Sequence, residues 1–369
     1  MTTTRYGVIG CGMMGQEHLR NIALLPEAEV AAIFEPDPAM AAAAQALAPG
    51  TVMAESVEAL LAEPELDCLL IASPNFRHVE QMERIAATKP LPLLVEKPLF
   101  TDPAHQSRIE ALMARYPAPV WVAMEYRYMP PIAALLAEVE QATGGVRMLT
   151  IREHRFPFLH KVGAWNRFNR YTGGTFVEKC CHFFDLMRHI LKSEPVRIMA
   201  SGGQAVNHMD EDYEGQRPDI ADHGYVIVEF ASGVRAMLEL CMFAEGARYQ
   251  EEVVAVGPMG KIEALVPGPG RFWPADLGAP PVPQLIVSPR QPKGPETREI
   301  PVDPTLLEAG DHNGSTYFQH LEFLHLVRGT RTAPDVSLRD GLISVLMGQA
   351  AQESMATGKA VDLRLSTEN

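Results

Sequence analysis

The sequence predicts a doubly wound α/β domain with a parallel sheet over residues 1–125, followed by an α+β domain on an open, mainly antiparallel sheet over 126–369. Three observations carry this prediction. Short apolar runs alternate with alanine- and glutamate-rich helical stretches through the first third. Near 126–131 the texture changes to longer β-branched runs joined by short turns. A chain of 369 residues, 47% of them hydrophobic, has enough apolar material for two cores.

In the first domain the predicted strands are 6–9, 30–34, 68–72, 91–95 and 120–124. Crossovers such as 39–47 and 79–87 carry apolar residues at helical spacing and are long enough to return the chain in parallel. The second domain opens with a helix over 132–141 and continues with strands over 146–156, 196–202, 224–231, 234–243, 251–256 and 261–266. Ala231-Ser232-Gly233 and Gly257-Pro258-Met259-Gly260 read as hairpin turns. Proline and glycine crowd 267–295, which predicts an extended, mobile excursion without regular structure. Helical patterns over 316–328 and 338–357 close the chain.

The balance of 32 basic against 46 acidic residues, net −14, excludes a broad electrostatic surface for nucleic acid or anionic membrane. No run approaches the roughly 18 apolar residues of a membrane span. The start, Met1-Thr2-Thr3-Thr4-Arg5, lacks the regions of a signal peptide, so a cytoplasmic protein is expected. Five scattered cysteines without a CxxC pair predict reduced thiols. Cys180, Cys181 and His182 are consecutive, and adjacent side chains on a helix diverge, so no metal site is expected.

Gly10-Cys11-Gly12-Met13-Met14-Gly15 is a GxGxxG turn between a strand and a helix. Its glycines permit a tight turn, close approach to a pyrophosphate and close helix packing, and the helix N-terminus supplies free amides. Glu35 stands 20 residues after Gly15, at the end of the second strand, where an acid accepts the adenosine ribose hydroxyls. The Phe34-Glu35-Pro36-Asp37 segment has no basic residue to receive a ribose phosphate, so NAD is expected in preference to NADP.

Glu96-Lys97-Pro98 ends another strand of the same sheet, where ligands bind in open α/β folds. A lysine there can hydrogen-bond a substrate hydroxyl; an exposed ion pair is the competing explanation. Ser73-Pro74-Asn75 and His78 follow a neighbouring strand and converge on the same crevice. In the second domain Gly173-Gly174 leads to Glu178, His182, Asp185 and His189, spaced for one helical stripe opposite Phe183, Leu186, Met187 and Ile190. A carboxylate beside a histidine suits general acid/base work, although a solvated polar face has the same pattern.

In their order and spacing these motifs resemble the Gfo/Idh/MocA family (glucose-fructose oxidoreductase, inositol dehydrogenase, rhizopine catabolism) along nearly the whole chain. The resemblance implies a Rossmann domain joined to an open-sheet domain, and an NAD(P)-dependent oxidoreductase acting on one carbinol of a sugar or cyclitol. It implies Lys97 and His182 as catalytic groups, with Glu178 in the place of a usual aspartate and the vicinal Cys180-Cys181 as a departure. It further suggests Gly10, Gly12, Met13, Met14, Gly15, Glu35, Ser73, Asn75, His78, Glu96, Lys97, Trp165 and Arg167 at the cofactor. Lys97, Arg127, Arg155, His160, His182, Asp185 and His312 are suggested at a small polyhydroxylated substrate. Relatives pair through the second sheet, and 224–231 carries apolar groups on both faces, so a homodimer or dimer of dimers is expected. Two other functions share the fold: a redox-neutral enzyme that retains NAD and oxidises transiently, and a non-catalytic NAD-binding regulator.

Overall fold

The structure is a computed structural model and describes residues 3–365; Met1 and Thr2 of the N-terminal stretch lie outside the described residues. The first sheet consists of β1 (Thr4–Ile9), β2 (Ala28–Phe34), β3 (Val52–Met53), β4 (Cys68–Ile71), β5 (Leu93–Val95) and β6 (Val120–Val122). All pair in parallel in the order β3-β2-β1-β4-β5-β6. The five strands expected from sequence are present, with ends moved by one or two residues. β3 was not foreseen, because two residues carry no period. The central strands β4 and β5 are apolar and buried along their length, as a sheet covered on both faces requires.

The connections α1 (Met13–Ile22), α2 (Pro38–Leu47), α3 (Val57–Ala62), α4 (His78–Thr88) and α5 (Gln106–Arg115) return the chain between these strands. Local chemistry sets their starts. Asp37 accepts from the amides of Ala39 and Met40 with Pro38 at the first helical position, and Ser56 caps α3. From β1 the chain winds one way to β2 and β3, then returns and winds the other way to β4, β5 and β6. The reversal opens a crevice at the carboxyl ends of β1 and β4.

After α6 (Pro130–Thr143) comes the second sheet, built from β7 (Met148–His154), β8 (Pro195–Gly203), β9 (His223–Phe230), β10 (Arg235–Cys241), β11 (Glu251–Val256), β12 (Gly260–Val266), β13 (Gln284–Pro289), β14 (Glu296–Glu299) and β15 (Val361–Asp362). Its order is β14-β13-β12-β11-β7-β10-β9-β8-β15, antiparallel except for the parallel pair β7·β10. The excursion over 267–295 is therefore only partly irregular. Gln284–Ser288 is its longest stretch free of proline and glycine, and there the backbone amides are available to pair with β12.

Between β7 and β8 lie the short helices α7 (Asn169–Thr172) and α8 (Thr175–Glu178), then α9 (Cys181–Leu191); α10 (Pro304–Ala309), α11 (Ser315–Val327) and α12 (Leu338–Thr357) follow β14. One core lies between α6, α9, α12 and the inner face of the second sheet, where Val226, Val228 and Phe230 are buried. The other core fills the first domain but also takes Phe323 and Leu324 of α11 and Leu342 and Val345 of α12. The C-terminal helices thus close both units. Cys180 belongs to the sheet core and Cys181 to the first-domain core, so the vicinal pair is a seam of two small apolar side chains, both reduced.

Candidate active site

At the end of β1 the backbone turns through Gly10 with φ +91°, and a Cβ there would lie 2.5 Å from the Ser73 Cα. A Cβ on Gly15 would meet the Gly10 carbonyl at 2.4 Å, whereas Gly12 faces open space. No side chain caps α1, so its first amides remain available in the crevice. Met13 is exposed at the first helical position and Met14 is half-buried behind it. Glu35 sits beside this loop: one carboxylate oxygen accepts from the Cys11 amide at 2.6 Å and the other from the Asp37 amide at 2.9 Å. Beyond β4, buried Asn75 presents an Nδ2 group with no partner among the described residues.

Lys97 follows β5 in a turn with a cis Lys97-Pro98 peptide, and its Nζ donates to the Glu178 carbonyl at 3.3 Å. His182, only 2% exposed, stands on the first turn of α9 with its ring stacked on Tyr126, centroids 4.1 Å apart and planes 9° from parallel. Burial, and after it the positive charges of Lys97, Lys179, His312 and Arg155, push the imidazole pKa well below its usual value. The ring is therefore neutral at pH 7 and able to accept a proton.

Glu178 departs from the sequence expectation. The helix is broken between Glu178 and Cys181, so the two groups do not share one continuous stripe. The Glu178 carboxylate pairs with Lys161 at 3.3 Å, and among the described residues neither its second oxygen nor His182 Nδ1 has a partner. Among the described residues no hydrogen bond joins Glu178 to His182.

Other candidates are engaged within the protein because a buried charge without water requires a partner. Arg127 forms a bidentate pair with Asp185, both bonds 2.6 Å, and donates to the Asp335 carbonyl; neither is free for substrate. Arg167 is buried, with Nε donating to Glu211 at 2.7 Å and Nη1 without a partner among the described residues. Both His78 nitrogens face carbonyls, of Pro98 at 2.9 Å and Ser73 at 3.0 Å, so this ring braces the Lys97-Pro98 turn. Glu96 meets His18 at 2.9 Å and the Lys97 amide at 3.2 Å inside the interface between the units. Ser73 donates its hydroxyl to Gln81 at 2.6 Å. Trp165 packs against Phe76 and beneath the Lys161 ammonium, 4.4 Å from its ring centre. Arg155 lies over Phe156 and donates to its carbonyl, and His160 is exposed beyond the end of β7.

His312 is held between two acids of other elements. Nδ1 is 2.8 Å from Glu17 on α1, and Nε2 is 3.7 Å from Glu125 after β6. The Thr316 hydroxyl lies 2.9 Å from Glu17 and 2.6 Å from Glu125. The Thr316 hydroxyl thus bridges the two carboxyls, and burial raises the Glu125 pKa. Burial opposes charge on the other two, yet Glu125 and Glu17 hold His312 up at about 9 and His312 holds Glu17 down at about 2. The ligand atoms of the three residues lie within 4.8 Å of one another, a spacing open to a cation. With each ring nitrogen facing a different carboxylate, the geometry is that of a bridging imidazolium. A cavity of about 760 Å³ opens beside Glu17, between Met13 and Arg20 of α1 and the proline-rich wall from Pro267 to Pro283.

Residues 4–124 match the family described as "Oxidoreductase family, NAD-binding Rossmann fold", and residues 139–363 match "Oxidoreductase family, C-terminal alpha/beta domain". The chain belongs to the Gfo/Idh/MocA family. It is an NAD-dependent oxidoreductase. Among Gfo/Idh/MocA relatives, the inositol 2-dehydrogenase of Pseudarthrobacter chlorophenolicus is 28% identical over 264 residues, covering 69% of this chain and 74% of its own. The rhizopine catabolism protein MocA of Rhizobium meliloti is 30% identical over 198 residues, covering 54% and 60%. The solved myo-inositol dehydrogenase of Lactobacillus casei, in complex with NAD(H) and myo-inositol, shares the fold with a TM-score of 0.75 at 19% identity over 100% of this chain and 99% of that one.

The first domain fits the family's cofactor. Side chains are excluded at Gly10 and Gly15, the α1 amides are open, a carboxylate is fixed beside the loop, and an orphaned Asn75 donor lies nearby. Sequence reasoning missed Glu17, Glu125, Lys161 and Lys179. A signal was present for Lys179, the single cation, beside Glu178, in the mostly apolar stretch Thr175 to Cys181. The others meet only in three dimensions.

Proposed function

We propose that this Gfo/Idh/MocA protein transfers a hydride between NAD and one secondary alcohol, or the matching ketone, of a cyclitol or sugar derivative. The observation that carries the reading is the neutral, buried His182 with Lys97 as its foremost charged neighbour. The names of the relatives, inositol 2-dehydrogenase and myo-inositol dehydrogenase, support the substrate class.

The Gly10–Gly15 loop, Glu35 and Asn75 hold the dinucleotide, which supplies the hydride acceptor. In the oxidative direction His182 takes the hydroxyl proton as general base. Lys97 hydrogen-bonds the same oxygen and stabilises the negative charge that develops on it. In the reductive direction His182 returns the proton as general acid, and Lys97 again stabilises the charge on the same oxygen.

A nicotinamide-reduction screen over cyclitols, aldoses, glycosides, sugar acids and sugar phosphates tests the proposal. Reduction with at least one polyhydroxylated ring, abolished in His182→Ala, is the expected result. Turnover of a substrate with no net change in nicotinamide absorbance would replace it with a redox-neutral reaction. NAD binding without turnover across the panel would leave a regulator.

A further inference from the structure

Lys179 is a buried cation that the hydride-transfer scheme does not use. It stands at the junction of α8 and α9, directly after Glu178 and before the buried Cys180-Cys181. Its Nζ lies 2.5 Å from the Tyr126 hydroxyl and 2.8 Å from Glu153 Oε1. Glu153, on β7, is fully buried and pairs in register with buried Glu251 on β11. Two facing carboxylates repel, and burial together with Glu153 raises Glu251 to about 7. Lys179 supplies the positive charge this pair requires, assisted by Arg155, 3.6 Å from Glu153.

On its other side the chain of contacts reaches the active site. Tyr126 is buried, its ring lies flat on the His182 imidazole, and Phe183 meets it edge-on at 5.7 Å. A base is ordinarily oriented by a hydrogen bond to its second nitrogen, but His182 Nδ1 has no such partner among the described residues. The stacked phenol is therefore the contact that fixes the ring plane.

We propose that Tyr126 and Lys179 are positioning residues for His182: the phenol fixes the plane of the imidazole, and Lys179, anchored on Glu153, fixes the phenol and places a positive charge behind the ring. This rests on the reading of His182 as the base. The groups facing His182 are Lys97 after β5, Lys179 at the α8–α9 junction, Arg155 after β7 and His312 before α11, and all four oppose a charge on the ring. Removing the Lys179 charge must strengthen proton binding at His182, which moves the acid limb of the oxidative pH profile to higher pH.

Histidine side-chain NMR on the free full-length protein tests this without turnover, with His182 assigned by His182→Gln. In the wild type the His182 signal should be displaced upfield by the facing ring and stay neutral as pH falls. Tyr126→Leu should abolish the displacement and Tyr126→Phe should keep it. Lys179→Met should raise the His182 midpoint by about one pH unit, a tenfold gain in proton affinity. If Lys179→Met does not fold because Glu153 is stranded, Lys179→Met with Glu153→Gln carries the same expectation, since Glu153 lies beyond Lys179. Once a substrate is known, Tyr126→Leu should lower kcat about tenfold or more and leave the KM for NAD within about threefold. An upfield shift that survives Tyr126→Leu, or a His182 midpoint unmoved in a folded Lys179 variant, would overturn the proposal. Neither outcome depends on which substrate, if any, is turned over.

Discussion

At the scale of single residues, function depends on how each charge is partnered. His182 is neutral at rest because burial and the surrounding cations disfavour another positive charge. His182→Ala should cut kcat on the order of 100-fold or more, the usual contribution of a lost general base. NAD affinity, measured by fluorescence titration, should hold within about threefold. Glu35 has two tasks. Its carboxylate is the negative charge that a 2′-phosphate would meet, so catalytic efficiency should favour NAD over NADP by about 10- to 100-fold, roughly 1.4 to 2.8 kcal/mol. It also accepts from the Cys11 amide at 2.6 Å. Glu35→Ser should therefore narrow the preference while weakening NAD as well, and equal use of both cofactors by the wild type would remove Glu35 from the ribose.

At the scale of elements, His312 and Glu17 join the stretch before α11 to α1. His312 is raised from 6.5 to about 9, so its contribution to stability is complete below pH 6.5 and is lost as pH rises through about 9. Glu17 is lowered from 4.5 to about 2, so its contribution is complete above pH 4.5 and is lost as pH falls through about 2. Thermal melts should show a fall in Tm between pH 7 and about 9.5 that His312→Gln largely removes. A wild-type Tm flat over that range would show that the link carries no stability. Helix α12 depends on close approach instead. A Cβ at Gly348 would sit 2.6 Å from the Phe176 carbonyl, within the backbone of α8. Gly348→Ala should destabilise by roughly 1–3 kcal/mol in denaturant titration, the usual cost of forcing extra volume into a packed core.

At the scale of the whole molecule, the second sheet presents an open face. On β9, Tyr225 is 55% and Ile227 42% exposed, alternating with the buried Val226, Val228 and Phe230. We expect two copies to pair across this face, giving a homodimer or dimer of dimers. Light scattering at micromolar concentration should report a multiple of the chain mass, and Tyr225→Glu with Ile227→Glu should shift it toward the monomer. A monomer in the wild type would refute the pairing.

The sequence by itself determined the alternating first domain, the glycine turn with Glu35 at 20 residues, the Lys97 turn, and the inward alternation of β9. Each is a local pattern of period, spacing or turn chemistry, and each holds in the structure. The periods of 2 and 3.6 report which face is buried whatever lies beyond it. Tertiary structure alone decided which charges meet. Arg127 looked available until Asp185, 58 residues away, took both arms of its guanidinium. Glu178 lost its stripe to a break in the helix, and Tyr126 became the surface on which His182 rests. Partner choice among buried polar groups depends on distances between segments remote in the chain, and the strength of each contact follows from its burial.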